Sequence, residues 1–317
     1  MSKIVDVLIL GGGPAGLAVA GGLCRQLHTA IVFSSGSFRN GVASEMHNVA
    51  GWDHENPADF RAKSRADILS RYDTVQFRDV GVASVRKLES GHFEAVDDAG
   101  ETHEGRKVVI ASGVRDIMPS IPGYSELWGK GIFHCLFCHG YEERGAFSAG
   151  VLATGFLGNA MFAPPVSRMA GRLAANVNIY TDGNEPLGAE IRAVLKSTQK
   201  FHIENRKIKG FAKDPNVLGQ AGVLVTLEDG TVNSEIFVAH APNVELNGSF
   251  VKDLGVDVAP QGHINTLPPF FNTNVPGVFA AGDCATLLKS VPTATMMGSF
   301  VAAGLAHALQ AEDDVED

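Results

Sequence analysis

Ile4-Val5-Asp6-Val7-Leu8-Ile9-Leu10, followed without a break by Gly11-Gly12-Gly13-Pro14-Ala15-Gly16, decides the fold. The first seven residues form an apolar, β-branched run, the pattern of a parallel strand buried on both faces. The glycines stand in a Gly-x-Gly-x-x-Gly spacing. A small-residue helix is expected from about Gly16 to Leu27, and a second strand from Ala30 to Phe33. Strand, glycine turn, helix and strand make a βαβ unit whose first turn suits a dinucleotide pyrophosphate. Gly11 permits the tight turn, Gly13 lets phosphates approach the backbone, and Gly16 lets the helix lie close to the strand. The helix N-terminus adds partial positive charge. An acidic residue is expected at the end of the second strand, to hold the adenosine ribose. Phe33-Ser34-Ser35-Gly36 stands there instead, so Ser34 must hydrogen-bond a hydroxyl with help from Arg39.

The rest of the chain extends this α/β pattern. Met46-His47-Asn48-Val49-Ala50-Gly51-Trp52 precedes an amphipathic helix from about Pro57 to Arg71. Strands with turns at Ser90-Gly91 and Asp97-Asp98-Ala99-Gly100 follow, then a buried strand within Lys107 to Gly113. Pro119 and Pro122-Gly123 read as a linker. A second βαβ unit begins at Gly150: strand Val151 to Thr154, turn Gly155 to Ala160, a helix, and strand Asn176 to Tyr180. It has the outline of a nicotinamide-binding half with altered chemistry. Leu157 stands where the second glycine belongs, so its side chain is expected in the pyrophosphate's place. Pro164-Pro165 is expected to interrupt the helix. Thr181-Asp182-Gly183 offers no Arg or Lys to a 2′-phosphate. Near the end, Val278 to Ala281 reads as a short strand, Gly282 as a close backbone approach, Asp283 as an acceptor for a polyol, and Thr293 to Leu309 as a small-residue helix.

Composition narrows the function. With 317 residues about two domains are expected, and 45% hydrophobic with 19% charged residues is an ordinary globular balance. The net charge of −9 argues against nucleic acid as a partner. No apolar run approaches the ~18 residues that span a bilayer, so no membrane partner is expected. The N-terminus enters a strand without a signal-peptide layout, and four cysteines do not make a secreted disulfide framework. A cytoplasmic location is the expectation. The acidic run Glu312 to Asp317 reads as a solvated end.

Phe133-His134-Cys135-Leu136-Phe137-Cys138-His139-Gly140 carries the chemistry. A Cys-x-x-Cys pair closes a small disulfide ring that opens readily, and a neighbouring imidazole can take a thiol proton and leave the reactive thiolate. The pair is also half of a zinc site, but that needs two further ligands, and Cys24 and Cys284 are single and distant in sequence. No metal is expected. Leu136, Phe137 and Phe133 either line an apolar substrate pocket or belong to the core.

Taken together, Gly11 to Gly16, Ile110-Ala111-Ser112-Gly113, the Cys135/Cys138 pair and Thr273 to Asp283 resemble the low-molecular-weight thioredoxin reductase family. The motifs come in that family's order and cover nearly the whole chain. The resemblance implies two Rossmann-like dinucleotide-binding domains, the second inserted into the first: an FAD domain of residues 1–113 and 242–317, and a degenerate nicotinamide-type domain of residues 114–241 carrying the cysteines. It implies a homodimer and non-covalent FAD. The FAD contacts would be Gly11, Gly13, Pro14, Ala15, Gly16, Ser34, Arg39, Asn48, Ser112, Gly113, Gly282, Asp283, Thr293 and Ala294. Cys138 would lie next to the flavin and Cys135 outward. Thioredoxin reductases carry an acidic residue after the second cysteine; this chain has His139. The histidine-flanked Cys-Leu-Phe-Cys-His-Gly is similar to the fungal gliotoxin-oxidase branch, which oxidises small-molecule dithiols to disulfides and passes the electrons through FAD to O2, releasing H2O2. That resemblance makes Cys135, Cys138, His134 and His139 the candidate catalytic residues and a small natural-product dithiol the candidate substrate. Two other readings stand beside it: an NAD(P)H-dependent disulfide reductase, and a non-catalytic redox-sensing flavoprotein.

Overall fold

The computed structural model describes residues 4–196 and 199–316 and divides the chain into two compact units. The first contains residues 1–44, 55–115 and 244–317; the second contains residues 45–54 and 116–243. Ten residues expected with the FAD domain, Glu45 to His54, therefore belong to the second unit. Both units are α/β with parallel sheets, the second inserted into the first in sequence.

In the first unit β1 (Val5–Leu10) runs into α1 (Pro14–Cys24) and β2 (Ala30–Phe33), then α2 (Pro57–Arg71) and β3 (Val75–Arg78). Strands β4 (Val82–Lys87), β5 (Phe93–Asp97) and β6 (Thr102–Ile110) complete its N-terminal part. β1 lies between β2 and β6, parallel to both, with Leu8 opposite Ile31 and Val108. This position explains its nearly unbroken apolar sequence, because both faces are covered. β5 and β4 add an antiparallel edge to β6. The chain leaves through β7 (Val114–Asp116).

The second unit opens with a short helix, α3 (Tyr124–Leu127), and β8 (Ile132–Phe133). Next come β9 (Ala146–Leu152), α4 (Ala163–Leu173), β10 (Ala174–Tyr180), α5 (Glu185–Val194) and β11 (Phe201–Glu204). A three-stranded antiparallel sheet of β12 (Ile208–Lys213), β13 (Val223–Leu227) and β14 (Val232–Glu235) precedes β15 (Val238–Ala239). The parallel sheet has the order β11-β10-β9-β15-β8. Pro164 and Pro165 do not interrupt α4; they sit in its first turn, where no N–H is needed and the fixed φ suits a helix start.

The chain returns through β16 (Val244–Leu246), which pairs with β7, and α6 (Phe250–Asp253). β17 (Val278–Ala280) lies parallel to the end of β6, and α7 (Val291–Glu316) closes the first unit. Small residues let α7 approach α1: a Cβ on Gly298 would stand 2.4 Å from the Ala15 carbonyl oxygen. The acidic end is not simply solvated. Glu312 pairs with the buried Lys107, and Glu312 and Asp313 with Arg106; Asp317 lies outside the described residues. Among the described residues, no helix is long and apolar enough to cross a membrane.

Candidate active site

The turn after β1 is built to admit a ligand to its backbone. Gly11 has φ +127°, and a Cβ there would lie 2.2 Å from the Ala111 carbonyl oxygen; a Cβ on Gly16 would lie 1.9 Å from that of Gly11. Both must be glycine. At Gly13 the space is open, with no atom within 4 Å of where a Cβ would stand. Gly13 is the N-cap of α1 and supplies no side-chain acceptor, and Pro14 occupies the first turn. The helix N-terminus therefore keeps its positive pole for a phosphate. Ala15, Gly282 and Ala294 pack together: a Cβ on Gly282 would meet the Ala15 and Ala294 Cβ atoms at 2.9 and 3.6 Å. Arg39 Nη1 donates to Asp283 Oδ2 at 3.2 Å, joining two candidate contacts far apart in sequence. Ser34, the residue after β2, lies against Gly12. Ser112 Oγ donates to the Asn247 carbonyl, Gly113 has φ +67°, and Thr293 shares a hydrogen bond with Ser290 where α7 begins. Asn48 belongs to the second unit, where its backbone N–H donates to Asp53 Oδ1 at 2.7 Å.

The corresponding turn of the second unit satisfies itself. Asn159 Oδ1 accepts from the N–H groups of Met161 and Phe162, both at 3.0 Å, the donors that precede α4. Leu157 does not project into a phosphate's place: it is 3% exposed and packs in the apolar core of the unit. The end of β10 also differs from expectation. Asp182 Oδ1 accepts from Ile208 N at 2.8 Å, and the stem of Lys207 lies against Gly183, so a cation does reach this corner.

Cys135 and Cys138 form a disulfide in a turn after β8. The backbone N–H of His139 donates to the Cys135 carbonyl, and the Cys138 N–H points at Cys135 Sγ, 3.1 Å away. That N–H stabilises negative charge on Cys135 sulfur once the disulfide opens. Phe137 stands between the cysteines and is 70% exposed, which removes it from the core. Phe133 is buried, and His139 stacks on it with ring centroids 5.2 Å apart. Burial holds the His139 imidazole below the ordinary histidine range, and the neighbouring His47 lowers it further. His139 is therefore a neutral base at neutral pH. His134 lies beside Trp128, at 6.0 Å between ring centroids.

His47 was not among the sequence candidates, yet its Nδ1 lies 2.6 Å from the Cys138 carbonyl oxygen and its ring 6.0 Å from that of His139. The signal in the sequence was a histidine in a turn-rich stretch ninety residues upstream, which nothing in the local pattern ties to the cysteines. Cys24 and Cys284 are buried free thiols, and burial pushes Cys284 up to about 12, so neither is poised to react.

A glycine turn with an open helix end and a turn carrying a Cys-x-x-Cys disulfide define a nucleotide-linked disulfide oxidoreductase. Residues 5–298 match the pyridine nucleotide-disulphide oxidoreductase family, and the chain belongs to it. It is an oxidoreductase, of a family of flavoproteins. It is 44% identical to thioredoxin reductase aclD of Aspergillus oryzae over 310 residues, covering 97% of each chain. To thioredoxin reductase tcpT of Claviceps purpurea it is 43% identical, over 94% of this chain and 92% of the other. Among solved structures it resembles HlmI, with 26% identity, a TM-score of 0.88 and coverage of 100% and 96% of the two chains.

Proposed function

We propose that the protein is an FAD-dependent dithiol oxidase that closes a disulfide in a small natural-product dithiol and gives the electrons to O2. The observation that carries this reading is the contrast between the two turns. The first leaves Gly13 open and its helix end uncapped; the second takes its own donors with Asn159. One dinucleotide and one disulfide suffice for an enzyme whose electrons arrive from substrate thiols.

The residues around the first turn fit FAD, with Gly11 to Gly16 for the pyrophosphate and Asp283 for a polyol. Bound there, the flavin supplies two-electron acceptance from the reduced cysteine pair and reaction with O2 to give H2O2. On this reading Cys135 is the sulfur that substrate reaches and Cys138 the one that passes electrons on. His139, neutral and fixed on Phe133, removes a proton from a substrate thiol, with His134 as the second candidate for that role. The thiolate attacks Cys135 and the Cys135–Cys138 bond breaks. The second substrate thiol then attacks the substrate sulfur of the mixed disulfide. The product disulfide forms, and Cys135 leaves as a thiolate facing the Cys138 N–H. The sum is dithiol plus O2 to disulfide plus H2O2. The exposed Phe137 offers an apolar contact for the substrate. A homodimer belongs to the same reading.

A second reading, an NAD(P)H-dependent disulfide reductase, is favoured by the burial of Leu157 away from the turn and by Lys207 beside Gly183. Anaerobic mixing separates the two. The oxidase bleaches with a small dithiol and recovers its yellow colour with oxygen, yielding about one peroxide per disulfide, as two-electron transfer requires. Rapid bleaching by NADPH or NADH, with no response to any dithiol, would establish the reductase.

A further inference from the structure

Beside the disulfide turn lies a second cluster, made by the segment that the second unit takes from between two parts of the first. His47 Nε2 is 3.1 Å from His54 Nδ1, 3.7 Å from Glu45 Oε2 and 3.6 Å from Glu142 Oε1; His54 Nδ1 is 3.8 Å from Glu45 Oε2. The edges of a tetrahedron around zinc, with bonds of about 2.0–2.2 Å to nitrogen and oxygen, are about 3.3–3.6 Å long. These four separations, 3.1 to 3.8 Å, lie close to that range. We propose that Glu45, His47 and His54, whose ligand atoms all lie within 4.8 Å of one another, form a site for a zinc ion, with Glu142, 3.6 Å from His47 Nε2, as the side chain that swings in to close the fourth position.

The outer partners suit this role. A backbone carbonyl only accepts, so the 2.6 Å contact to the Cys138 oxygen puts the His47 proton on Nδ1 and leaves the Nε2 lone pair directed at the cluster. His54 presents Nδ1 to the cluster and its other nitrogen to Asp53 Oδ2 at 3.5 Å. Asp53 is itself oriented by the Asn48 N–H, and the His54 N–H donates to the Met46 carbonyl, which holds the turn closed over His47. Two imidazoles with oriented outer nitrogens and two carboxylates make a neutral site with Zn2+, suited to its borderline ligand preference. His54 is 61% exposed at its side chain and Glu142 41%, so the ion exchanges with solvent. A bound cation would strengthen the His47 donation to Cys138 and so tie zinc occupancy to the disulfide turn.

The test uses the full, tag-free chain with its cofactor and an oxidised disulfide, stripped with a chelator and titrated with ZnCl2 in a calorimeter. One ion per chain is expected at micromolar zinc. Cobalt in its place should give the intense visible bands of four-coordinate geometry, lost when zinc is added. His54→Ala and Glu142→Gln should each weaken zinc at least tenfold while circular dichroism and bound cofactor stay as in the parent. Cys135→Ser should bind zinc as the parent does. Absence of binding at micromolar zinc, or undiminished binding in both folded variants, would overturn the site; so would loss of binding in a folded Cys135→Ser, which would make the ion depend on the disulfide turn and not on the histidine cluster.

Discussion

His139 shows how much a single side chain owes to its surroundings. Its ring lies on Phe133, and burial together with His47 holds its proton affinity down. A depressed imidazole is more fully neutral at pH 6.5 than an ordinary histidine, and its protonation moves to lower pH. The acid limb of flavin reduction by a dithiol should therefore have its midpoint below pH 6.5, and stopped-flow traces across pH 5–8 check it. His139→Ala should slow that step by ~100-fold at neutral pH, with partial rescue toward pH ~8.5 as free thiols ionise. An unchanged rate in this variant would pass the role to His134. The cysteines and the histidines flanking them were legible in the sequence because the motif is local. His47 was not, since only the tertiary fold carries residues 45–54 to the cysteine turn.

Elements were read well where periodicity and turn chemistry agree, as in β1, α1 and β6, and less well where a side chain's direction mattered. Leu157 is the instructive case. Aligning it with a glycine position placed it against a phosphate, but the turn at Gly155 to Leu157 directs it into the core. Spacing gives a residue's place in a turn and not which way it points. Leu157→Ala should accordingly cost roughly 2–4 kcal/mol of stability, the usual range for a buried leucine, and should not open the flavin to NADPH. Urea unfolding with an anaerobic NADPH trace checks both halves. A variant of parental stability that gains NADPH-dependent bleaching would restore the sequence-based placement. The prolines of α4 teach the same lesson: Pro164-Pro165 looked like a break and is a beginning.

At the scale of the molecule, both units consist of segments separated in sequence. The first lacks α7 until the end of the chain is made, and the second borrows ten residues from upstream. The βαβ units exposed the two-domain plan in the sequence; the borrowed segment left no compositional mark. Acid stability belongs to this scale as well. His240 is buried, with Nδ1 2.6 Å from Tyr124 Oη and Nε2 3.2 Å from the Thr154 carbonyl, and burial brings it down to about 4. A depressed histidine supplies stability that is complete above the unfolded value near pH 6.5 and is lost as pH falls toward 4. The loss is up to roughly 3 kcal/mol at 1.36 kcal/mol per unit. Unfolding free energy measured from pH 7 to 4 should fall along this slope, and His240→Gln should flatten it; an equal slope in the variant would assign the acid lability to other groups. The two buried thiols bear on how the molecule survives such unfolding. Cys24 donates to the Gly21 carbonyl and Cys284 to those of Ile110 and Ala281, and the fold hides both from a disulfide that is itself an oxidant. Once the chain opens, all four sulfurs share one solvent, and the Cys135–Cys138 bond can pass to a wrong partner by simple exchange. The native packing thus protects the redox pair from the protein's own spare thiols, and recovery after denaturation becomes a contest between refolding and disulfide shuffling.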